Sequence, residues 1–224
     1  MSAERAFIES LKALAKDPAA RGLADDCAVL EFGGETLVLT HDMMVEGVHT
    51  LPGQDAADIA WKLVATNLSD LAAKGARPVG VLLGHMLGSD DERFVAGLTE
   101  VLTRYNVPLL GGDTASGGPP RSWGLTAIGR ATHHPVPSRS GARAGDTVWV
   151  TGPLGAAMGG FEALRDGTDE DSGAFRRPLA GLAEGEVLAQ FVTALRESAD
   201  GPRPDASRMA EASGVTLALV SADV

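Results

Sequence analysis

Two hydrophobic spacings alternate along the chain, and they predict strands interleaved with helices. Apolar residues recur every three or four positions after Asp55 and again after Asp90, and either carboxylate can cap the helix that follows it. Short aliphatic runs at 27–32 and 36–40 flank a pair of glycines, which predicts two strands joined by a tight turn. Strands and helices that alternate in this way indicate an α/β layer structure.

The same two spacings continue to either side of this region. The opening segment has helical spacing, with Phe7, Leu11 and Leu14 on one face. Further strands are predicted at 79–83, 107–110, 125–131 and 147–151. The segment 111–114, Gly-Gly-Asp-Thr, is predicted as a glycine-rich turn after one of these strands.

A change of composition divides the chain into two parts. Residues 129–145 are rich in Pro, Ser, Arg and Gly, which indicates a junction and predicts domains at 1–135 and 136–224. Beyond it, the spacing predicts helices at 158–164, 179–195 and 207–212, a polar loop at 165–173 and a strand at 215–220. Because these elements have no evident sheet to complete, they indicate a partial second domain.

Charge restricts the classes of partner. The net charge is −11 and the pI is about 4.8, so the chain repels phosphate backbones unless cations intervene. Nucleic acids and anionic membranes are therefore not expected as direct partners. The amino terminus lacks the pattern of a signal peptide, and no apolar stretch is long enough to span a bilayer. With Cys27 as the single cysteine, we expect a cytoplasmic protein without an internal disulfide.

Four aspartates carry the candidate chemistry. Asp26, Asp42, Asp70 and Asp113 each lie at or beside the end of a predicted strand or helix. Asp42 and Asp113 both follow predicted strands, so we expect them at one edge of the sheet, facing a common cleft. Carboxylates within about 5 Å of one another raise one another's pKa unless a cation neutralises them. Oxygen ligands of this kind select Mg²⁺ or a similar hard ion, which would also bridge an acidic protein to a polyphosphate.

The glycines beside Asp113 add a second, weaker signal. Gly111 and Gly112 lack side chains, so backbone N–H groups there can approach phosphate oxygens. The sequence contains neither a Gly-x-x-x-x-Gly-Lys-Ser/Thr loop nor a protein-kinase catalytic motif. An ATP site would therefore have to be of another kind.

Six segments occur in an order that resembles one family. They are 25–30 (DDCAVL), 40–42 (THD), 45–49 (VEGVH), 67–76 (NLSDLAAKGA), 111–114 (GGDT) and 139–146 (RSGARAGD). Together they resemble the thiamine-monophosphate kinases, which are PurM-like proteins of the AIR synthase-related superfamily. The resemblance covers nearly the whole chain and is dense up to about residue 155.

This resemblance implies a fold, an activity and a set of residues. The fold would be α/β (α+β), a PurM-like amino-terminal domain with a mixed sheet packed by helices, plus a partial second α/β domain. The activity would be transfer of the γ-phosphoryl group of ATP to thiamine monophosphate, without a covalent catalytic residue, in a homodimer paired through its amino-terminal sheets. The implied Mg²⁺ ligands are Asp26, Thr40, Asp42, Asp70, Asp113 and Asp200, the ATP contacts are Gly112, Asp113 and Arg139, and the substrate contact is His49.

One stretch departs from the family pattern. Where the family has Asp-x-Ser-Asp-Gly, this chain has Glu197-Ser-Ala-Asp-Gly, so one ligand is longer by a methylene and Ala199 lacks the hydroxyl. Pro202 and Pro204 are expected to interrupt the next helix. The sequence given also ends at Val224, before the family's thiamine-ring contacts. We therefore expect the chain to bind magnesium nucleotide better than it turns over thiamine monophosphate.

Two other functions compete with the kinase. A non-catalytic nucleotide-binding or dimerisation protein, the remnant of such a kinase, would bind nucleotide without turnover. A selenophosphate synthetase would need a reactive cysteine or selenocysteine in a glycine-rich amino-terminal segment, and the sequence has no cysteine before Cys27.

Local roles compete with individual site assignments. His49 alone would be a hydrogen-bonding residue of a turn, and Arg139 alone could anchor the domain junction. Cys27 is expected to be a small buried apolar residue, and the Trp61 stripe to be core packing. The pair Arg176-Arg177 is expected in a solvated turn.

Overall fold

A five-stranded mixed sheet forms the centre of the computed structural model, which describes residues 3–168, 171–198 and 201–218. The strands are β1 (Ala28–Phe32), β2 (Glu35–Val45), β3 (Ala76–Met86), β4 (Leu109–Ala115) and β5 (Ser122–Ala131). The helices are α1 (Ala3–Leu11), α2 (Ala56–Ala72), α3 (Asp91–Tyr105), α4 (Ala156–Asp166), α5 (Gly173–Arg176), α6 (Leu182–Leu188) and α7 (Pro202–Ser213), with a 3₁₀ helix at Pro18–Leu23. This confirms the predicted α/β fold.

The strand order β1-β2-β5-β3-β4 places the central pairings between strands distant in sequence. β1 and β2 form the predicted hairpin, β5 pairs antiparallel with both β2 and β3, and β4 lies parallel to β3 at the edge. In this register Asp42 lies opposite Leu125 and Asp113 lies opposite Gly84. The two aspartates therefore lie on strands separated by β5 and β3.

One face of the sheet is covered by α2 and α3. Asp55 caps α2 as predicted, because its carboxylate accepts a hydrogen bond from the Ala57 N–H at 2.9 Å. Asp90 precedes α3 but its carboxylate instead pairs with Arg121, at 2.5 Å. The buried core lies between these helices and the sheet, and Leu63, Leu68, Val81, Val101 and Leu125 are among its fully or almost fully buried members.

Several predicted elements differ in the structure. Residues 111–114 are not a turn but lie within β4, because the chain continues to pair with β3 through the glycines. Residues 147–151 form no strand, since nothing in the described chain pairs with them, and Trp149 is 86% exposed. Of the predicted strand 215–220, residues 215–218 are irregular and 219–220 lie outside the described residues.

The prolines after residue 200 begin a helix and do not interrupt one. Pro202 and Pro204 lie in the first turn of α7, after Gly201 as the N-cap residue. The first N–H groups of a helix have no intrahelical partner, so proline loses nothing there. The expected interruption is therefore wrong. The opening helix is confirmed as α1, although Phe7 is 65% exposed.

Two of the carboxy-terminal helices, α5 and α6, pack against α2. Asp58, which is 2% exposed, accepts hydrogen bonds from Arg176 at 3.0 Å and from Arg177 at 2.5 Å. The prediction of a solvated turn for these arginines is wrong, because they neutralise a buried carboxylate. Val136 and Ala180 belong to the same buried core as the sheet. The domain division after residue 135 stays a prediction.

Within residues 3–168, 171–198 and 201–218, every helix is too short or too polar to cross a bilayer.

The crossing of α2 and α3 depends on a glycine. A Cβ atom at Gly97 would lie 2.2 Å from the Ala57 carbonyl oxygen and 2.4 Å from its Cα, and both are backbone atoms that cannot rotate away. We predict that Gly97→Ala lowers the free energy of unfolding by roughly 1–3 kcal/mol through overpacking. Denaturant unfolding measures this.

Gly159→Ala is the matched control for this change. Gly159 is also helical, but nothing lies within 4 Å of its added Cβ. The control should gain up to about 1 kcal/mol from alanine's helix propensity. Equal responses of the two variants would show that close approach of the helices does not constrain Gly97.

Candidate functional site

Three carboxylates converge where the start of β1 meets the carboxy-terminal end of α2. Asp26, Asp70 and Glu197 each offer an oxygen, and these oxygens lie within 4.8 Å of one another. Asp26 precedes β1, Asp70 lies in the last turn of α2, and Glu197 lies between α6 and α7. Asp70 is buried, whereas Asp26 and Glu197 are partly exposed as whole residues, although the side chain of Asp26 is only 4% exposed. Residues separated by more than 120 positions therefore share one acidic site.

Thr40 on β2 connects two of these residues. Its hydroxyl donates to Asp70 Oδ2 at 2.5 Å and also lies 3.5 Å from the backbone oxygen of Asp26. Buried residues alternate along β2 at Thr36, Val38 and Thr40, so Thr40 faces the helices. The predicted ligands Asp26, Thr40 and Asp70 thus lie together.

Asp42 lies on the same side of β2, two residues beyond Thr40. Its backbone N–H donates to Asn67 Oδ1 at 3.0 Å, and this bond ties β2 to α2. The carboxylate of Asp42 is close enough for its charge to raise the pKa of both Asp70 and Glu197. Asp42 is therefore the fourth acidic neighbour of the cluster.

Burial and mutual repulsion act on these acids in the same direction. Burial raises the pKa of Asp70 to about 8, and the charges of Asp42, Glu197 and Asp26 add to the rise against the hydrogen bond from Thr40. Burial and the charge of Asp26 raise the pKa of Glu197 to about 7. The pKa of Asp42 is also raised, first by desolvation and then by Asp26. A cation beside Asp70, Glu197 and Asp42 would therefore favour their ionised forms.

A hard divalent cation suits this set of donors. The available atoms are carboxylate oxygens and one hydroxyl, with no sulfur or imidazole among the three clustered residues. Mg²⁺ and Ca²⁺ prefer oxygen ligands, and a bound cation would oppose the burial and the repulsion that together raise the pKa values of Asp70 and Glu197. The residues present thus fit Mg²⁺.

A buried lysine pairs with the carboxylates beside the acidic site. Lys74, which is fully buried, places its ammonium 2.6 Å from Asp25 Oδ1, 3.0 Å from Asp26 Oδ2 and 3.2 Å from the Leu195 backbone oxygen. Its three N–H donors thus meet three acceptors. Because Leu195 is two residues before Glu197, the same ammonium fixes the segment that brings Glu197 to the cluster.

Asp25 and Lys74 are functional neighbours that the sequence-based assignment missed. Burial alone would raise the pKa of Asp25, but Lys74 and Arg21 outweigh this effect and lower it. Both residues lie inside the motifs used for the resemblance. The available signal was Lys74 itself, a charged residue in the otherwise apolar and small stretch that follows Asp70.

Arg139 is the second cation at the cluster. Its guanidinium contacts Asp26 Oδ1, while Lys74 occupies Oδ2 of the same carboxylate. The Nε atom of Arg139 is buried and has no hydrogen-bond partner. Arg139 thus lies at the candidate site and not only at the predicted junction.

His49 lies in the turn after β2. Its Nδ1 accepts a hydrogen bond from the Val45 N–H at 3.1 Å, and its backbone oxygen accepts one from Lys62 Nζ at 3.0 Å. The ring is exposed, and it is close enough to Asp42 for a positive charge on it to oppose the rise in the Asp42 pKa that burial causes. The structure therefore places His49 near the acidic cluster.

Comparison with known proteins identifies the family. The AIR synthase related protein, N-terminal domain, family matches residues 24–131. The thiamine-monophosphate kinase of Caulobacter vibrioides is 38% identical over 208 residues, which cover 88% of this chain and 59% of that protein. The crystal structure of the thiamine-monophosphate kinase from Stenotrophomonas maltophilia K279a is 31% identical, with a TM-score of 0.72 over 93% of this chain and 70% of that one. The chain belongs to the thiamine-monophosphate kinase family.

A second solved structure has the same fold. AaThiL complexed with AMPPCP and TMP has a TM-score of 0.84 and 27% identity, and the match covers 93% of this chain and 69% of that one. The chain spans about three fifths of the length of the curated Caulobacter relative. The confirmed resemblance therefore extends over nearly all of this chain but not over all of the relative.

One residue assigned from the kinase motifs, Asp113, lies away from the cluster. Asp113 lines a shallow depression with His41 and Met43, which alternate with Thr40 and Asp42 along β2 and so face the other side of the sheet. The expectation that Asp42 and Asp113 share one cleft is wrong for this chain. The error came from treating 111–114 as a turn, because a strand residue's side is fixed by its position in the alternation.

Gly112 has a packing role that explains its lack of a side chain. A Cβ atom there would lie 1.9 Å from the Leu83 carbonyl oxygen, and the residue has φ +150°. Close contact with β3 therefore requires glycine at this position whether or not a phosphate approaches it.

Two further assignments have different outcomes. Asp200, with Ala199 before it, lies outside the described residues. Cys27 is buried, with 4% exposure, and burial raises its thiol pKa far above the ordinary value. It is therefore a small core residue, as predicted.

The raised pKa of Asp70 predicts a pH-dependent stability. An unfolded aspartate ionises near 3.8, whereas Asp70 in the fold keeps its proton up to about pH 8. The unfolded state thus binds fewer protons at this residue between these values, so the contribution of Asp70 to metal-free stability falls as pH rises from about 4 to about 8 and then levels off. We predict that Asp70→Asn reduces this dependence, so that its melting temperature relative to the original chain increases from pH 5 to pH 8.5 in EDTA.

Glu162→Gln is the control, because Glu162 is an exposed acid on α4. Its melting temperature relative to the original chain should not change across this pH range. A constant difference for Asp70→Asn would instead show that Asp70 titrates normally in the fold.

The buried ion pairs of Lys74 lead to a separate prediction about stability. Lys74→Met leaves Asp25 and Asp26, whose side chains are 2% and 4% exposed, without their shared ammonium. Removing one partner from a buried ion pair costs about 3–5 kcal/mol, and we expect a loss of this size in urea unfolding. Lys16→Met, at an exposed position, should change little. A small loss for Lys74→Met would mean that other groups neutralise the two aspartates.

Proposed function

We propose that this chain is a magnesium-dependent kinase that transfers the γ-phosphoryl group of ATP to thiamine monophosphate, giving ADP and thiamine diphosphate. The observation that carries the proposal is the convergence of Asp26, Asp70 and Glu197, with Thr40 hydrogen-bonded to Asp70. Family membership supplies the reaction, and AaThiL, solved with AMPPCP and TMP, supports the two ligands. The nature of the donor atoms supports the metal.

The acidic cluster would hold Mg²⁺ through oxygen ligands. The proposed ligands close to one another are Asp26, Thr40, Asp42 and Asp70, joined by Glu197. Bound Mg²⁺ would neutralise the phosphate oxygens of ATP, whose charge the acidic chain would otherwise repel. Asp113 and Asp200 remain proposed ligands on the family resemblance alone.

The remaining residues would position the two substrates. Arg139 would contact nucleotide phosphate, and its present partner Asp26 would then turn to the metal. His49 presents an exposed ring near Asp42 and would contact the acceptor phosphate. Gly112 and Asp113 keep their proposed ATP contacts without structural support from the cluster. Phosphoryl transfer between two anions depends on charge neutralisation and in-line alignment, so no nucleophile is required.

The proposed assembly is a homodimer formed through the face of the sheet opposite α2, with the predicted domains 1–135 and 136–224 in each copy. Apolar side chains on the strands remain exposed, including Met43 at 55% and Leu82 at 38%. The adjacent edge strand β4 exposes Leu109 and Leu110 at 47% and 52%. Apolar exposure of this kind on a sheet is typical of an interface.

Calorimetry beside a product assay tests the proposed function. We expect AMPPCP to bind with Mg²⁺ and not in EDTA, and ATP with thiamine monophosphate to yield thiamine diphosphate. Asp42→Asn should weaken Mg²⁺-dependent AMPPCP binding about tenfold or more, because it removes one ligand charge. The exposed-acid variant Glu162→Gln should bind as the original chain does.

Three results would count against parts of this proposal. Metal-independent AMPPCP binding, or full binding by Asp42→Asn, would contradict the metal site. Magnesium-dependent binding without any thiamine diphosphate would favour the non-catalytic nucleotide-binding alternative.

A further inference from the structure

Helix α2 has one accessible stripe. Of its 17 residues, only Lys62, Thr66 and Ser69 are not buried. Spacings of four and three residues place them on one side of the helix. The stripe ends beside Asp70, which lies eight positions after Lys62 and so about 12 Å further along the helix. A cation thus marks one end of the stripe and the acidic cluster marks the other.

The ammonium group of Lys62 contacts a backbone oxygen and an aromatic ring, and neither carries a negative charge. Its Nζ atom donates to the His49 backbone oxygen at 3.0 Å and lies 3.7 Å from the ring centroid of Phe175 on α5. These two contacts leave ammonium donors available, since a lysine has three. Phe175 in turn packs against Phe161 at a centroid distance of 5.3 Å. The ammonium therefore has a defined position beside the candidate substrate residue His49.

The charge of Lys62 is not neutralised by any carboxylate within 4.0 Å in the described parts of the chain. The buried Lys74 shows the contrast, because it pairs with both Asp25 and Asp26. Partial burial lowers the pKa of Lys62 to about 8. The chain has a net charge of −11, yet no acidic side chain that the structure describes is used to pair with this lysine. A half-buried cation without such a partner is unfavourable unless a bound anion neutralises it.

The geometry points to Lys62 as a specificity-determining residue that, with His49, binds the phosphate group of the acceptor. This inference rests on the proposed kinase function and adds a residue to it. An acceptor phosphate between Lys62 and His49 would lie on the accessible side of α2, in the direction of Asp42 and Asp70. Lysine is an effective point-charge ligand for phosphate. A purely structural role would limit Lys62 to holding the turn that contains His49.

A phosphate-binding role and a purely structural role for Lys62 can be distinguished with two ligands that differ by one phosphate. We would measure the affinities of thiamine monophosphate and thiamine by calorimetry, without nucleotide, for the original chain, Lys62→Met and Lys16→Met. Lys62→Met should bind thiamine monophosphate about 10- to 100-fold more weakly, as expected for loss of a charged hydrogen bond, with thiamine affinity unchanged. Lys16 is exposed, and Lys16→Met should match the original chain with both ligands.

Stability gives a second readout. Lys62→Met should unfold at the same temperature as the original chain or a higher one, because it removes an uncompensated half-buried charge. A lower melting temperature with equal losses for both ligands would assign Lys62 to structure and overturn the inference. So would an original chain that binds thiamine monophosphate no better than thiamine.

Chemical labelling of the original chain tests the same inference if Lys62→Met does not fold. Thiamine monophosphate, but not thiamine, should slow acetylation of the Lys62 amine in the original chain, as followed by mass spectrometry. Equal labelling with either ligand would overturn the inference. Failure of Mg²⁺–AMPPCP binding would instead contradict the proposed nucleotide site, so the two failures are distinguishable.

Discussion

The requirement that buried carboxylates have cations nearby governs how this chain is put together. Asp25 and Asp26 are adjacent in sequence and almost fully buried, and they are stable together because Lys74 lies between their oxygens. The same ammonium reaches the Leu195 backbone, so charge neutralisation also determines where the later chain passes. Asp58 repeats the arrangement with Arg176 and Arg177. A buried carboxylate on α2 thus fixes α5 against that helix.

The parts of the fold that the sequence predicted are those with local causes. The β1–β2 hairpin follows from two aliphatic runs around Gly33 and Gly34, and α2 begins where Asp55 can cap it. That Asp26, Thr40 and Asp70 lie close together could be predicted only from the resemblance, because their motifs occur in the same order as in the thiamine-monophosphate kinases. Spacing alone does not bring β1, β2 and the end of α2 together, because tertiary packing decides their contact.

The errors arose where non-local pairing decides the structure. The 111–114 segment has turn composition, yet pairing with β3 extends the strand through it, and strand alternation then places Asp113 on the opposite face from Asp42. The run 147–151 has strand composition but no partner strand among the described residues. Arg176 and Arg177 have the composition of a solvated turn, because the buried Asp58 that pairs with them lies more than 115 positions away.

The position of Glu197 connects these constraints to the chemistry. In sequence it is a longer replacement for an aspartate, which suggested a weakened ligand set. In the structure the Lys74–Leu195 contact and the Leu195–Ser138 backbone hydrogen bond fix the segment just before it, and its carboxylate reaches Asp26 and Asp70. Once the backbone is anchored, an extra methylene lengthens the reach of the side chain without removing its oxygens. The substitution is therefore compatible with a metal site, and the acidic cluster, not the family pattern at this position, is the better guide to whether a cation can bind.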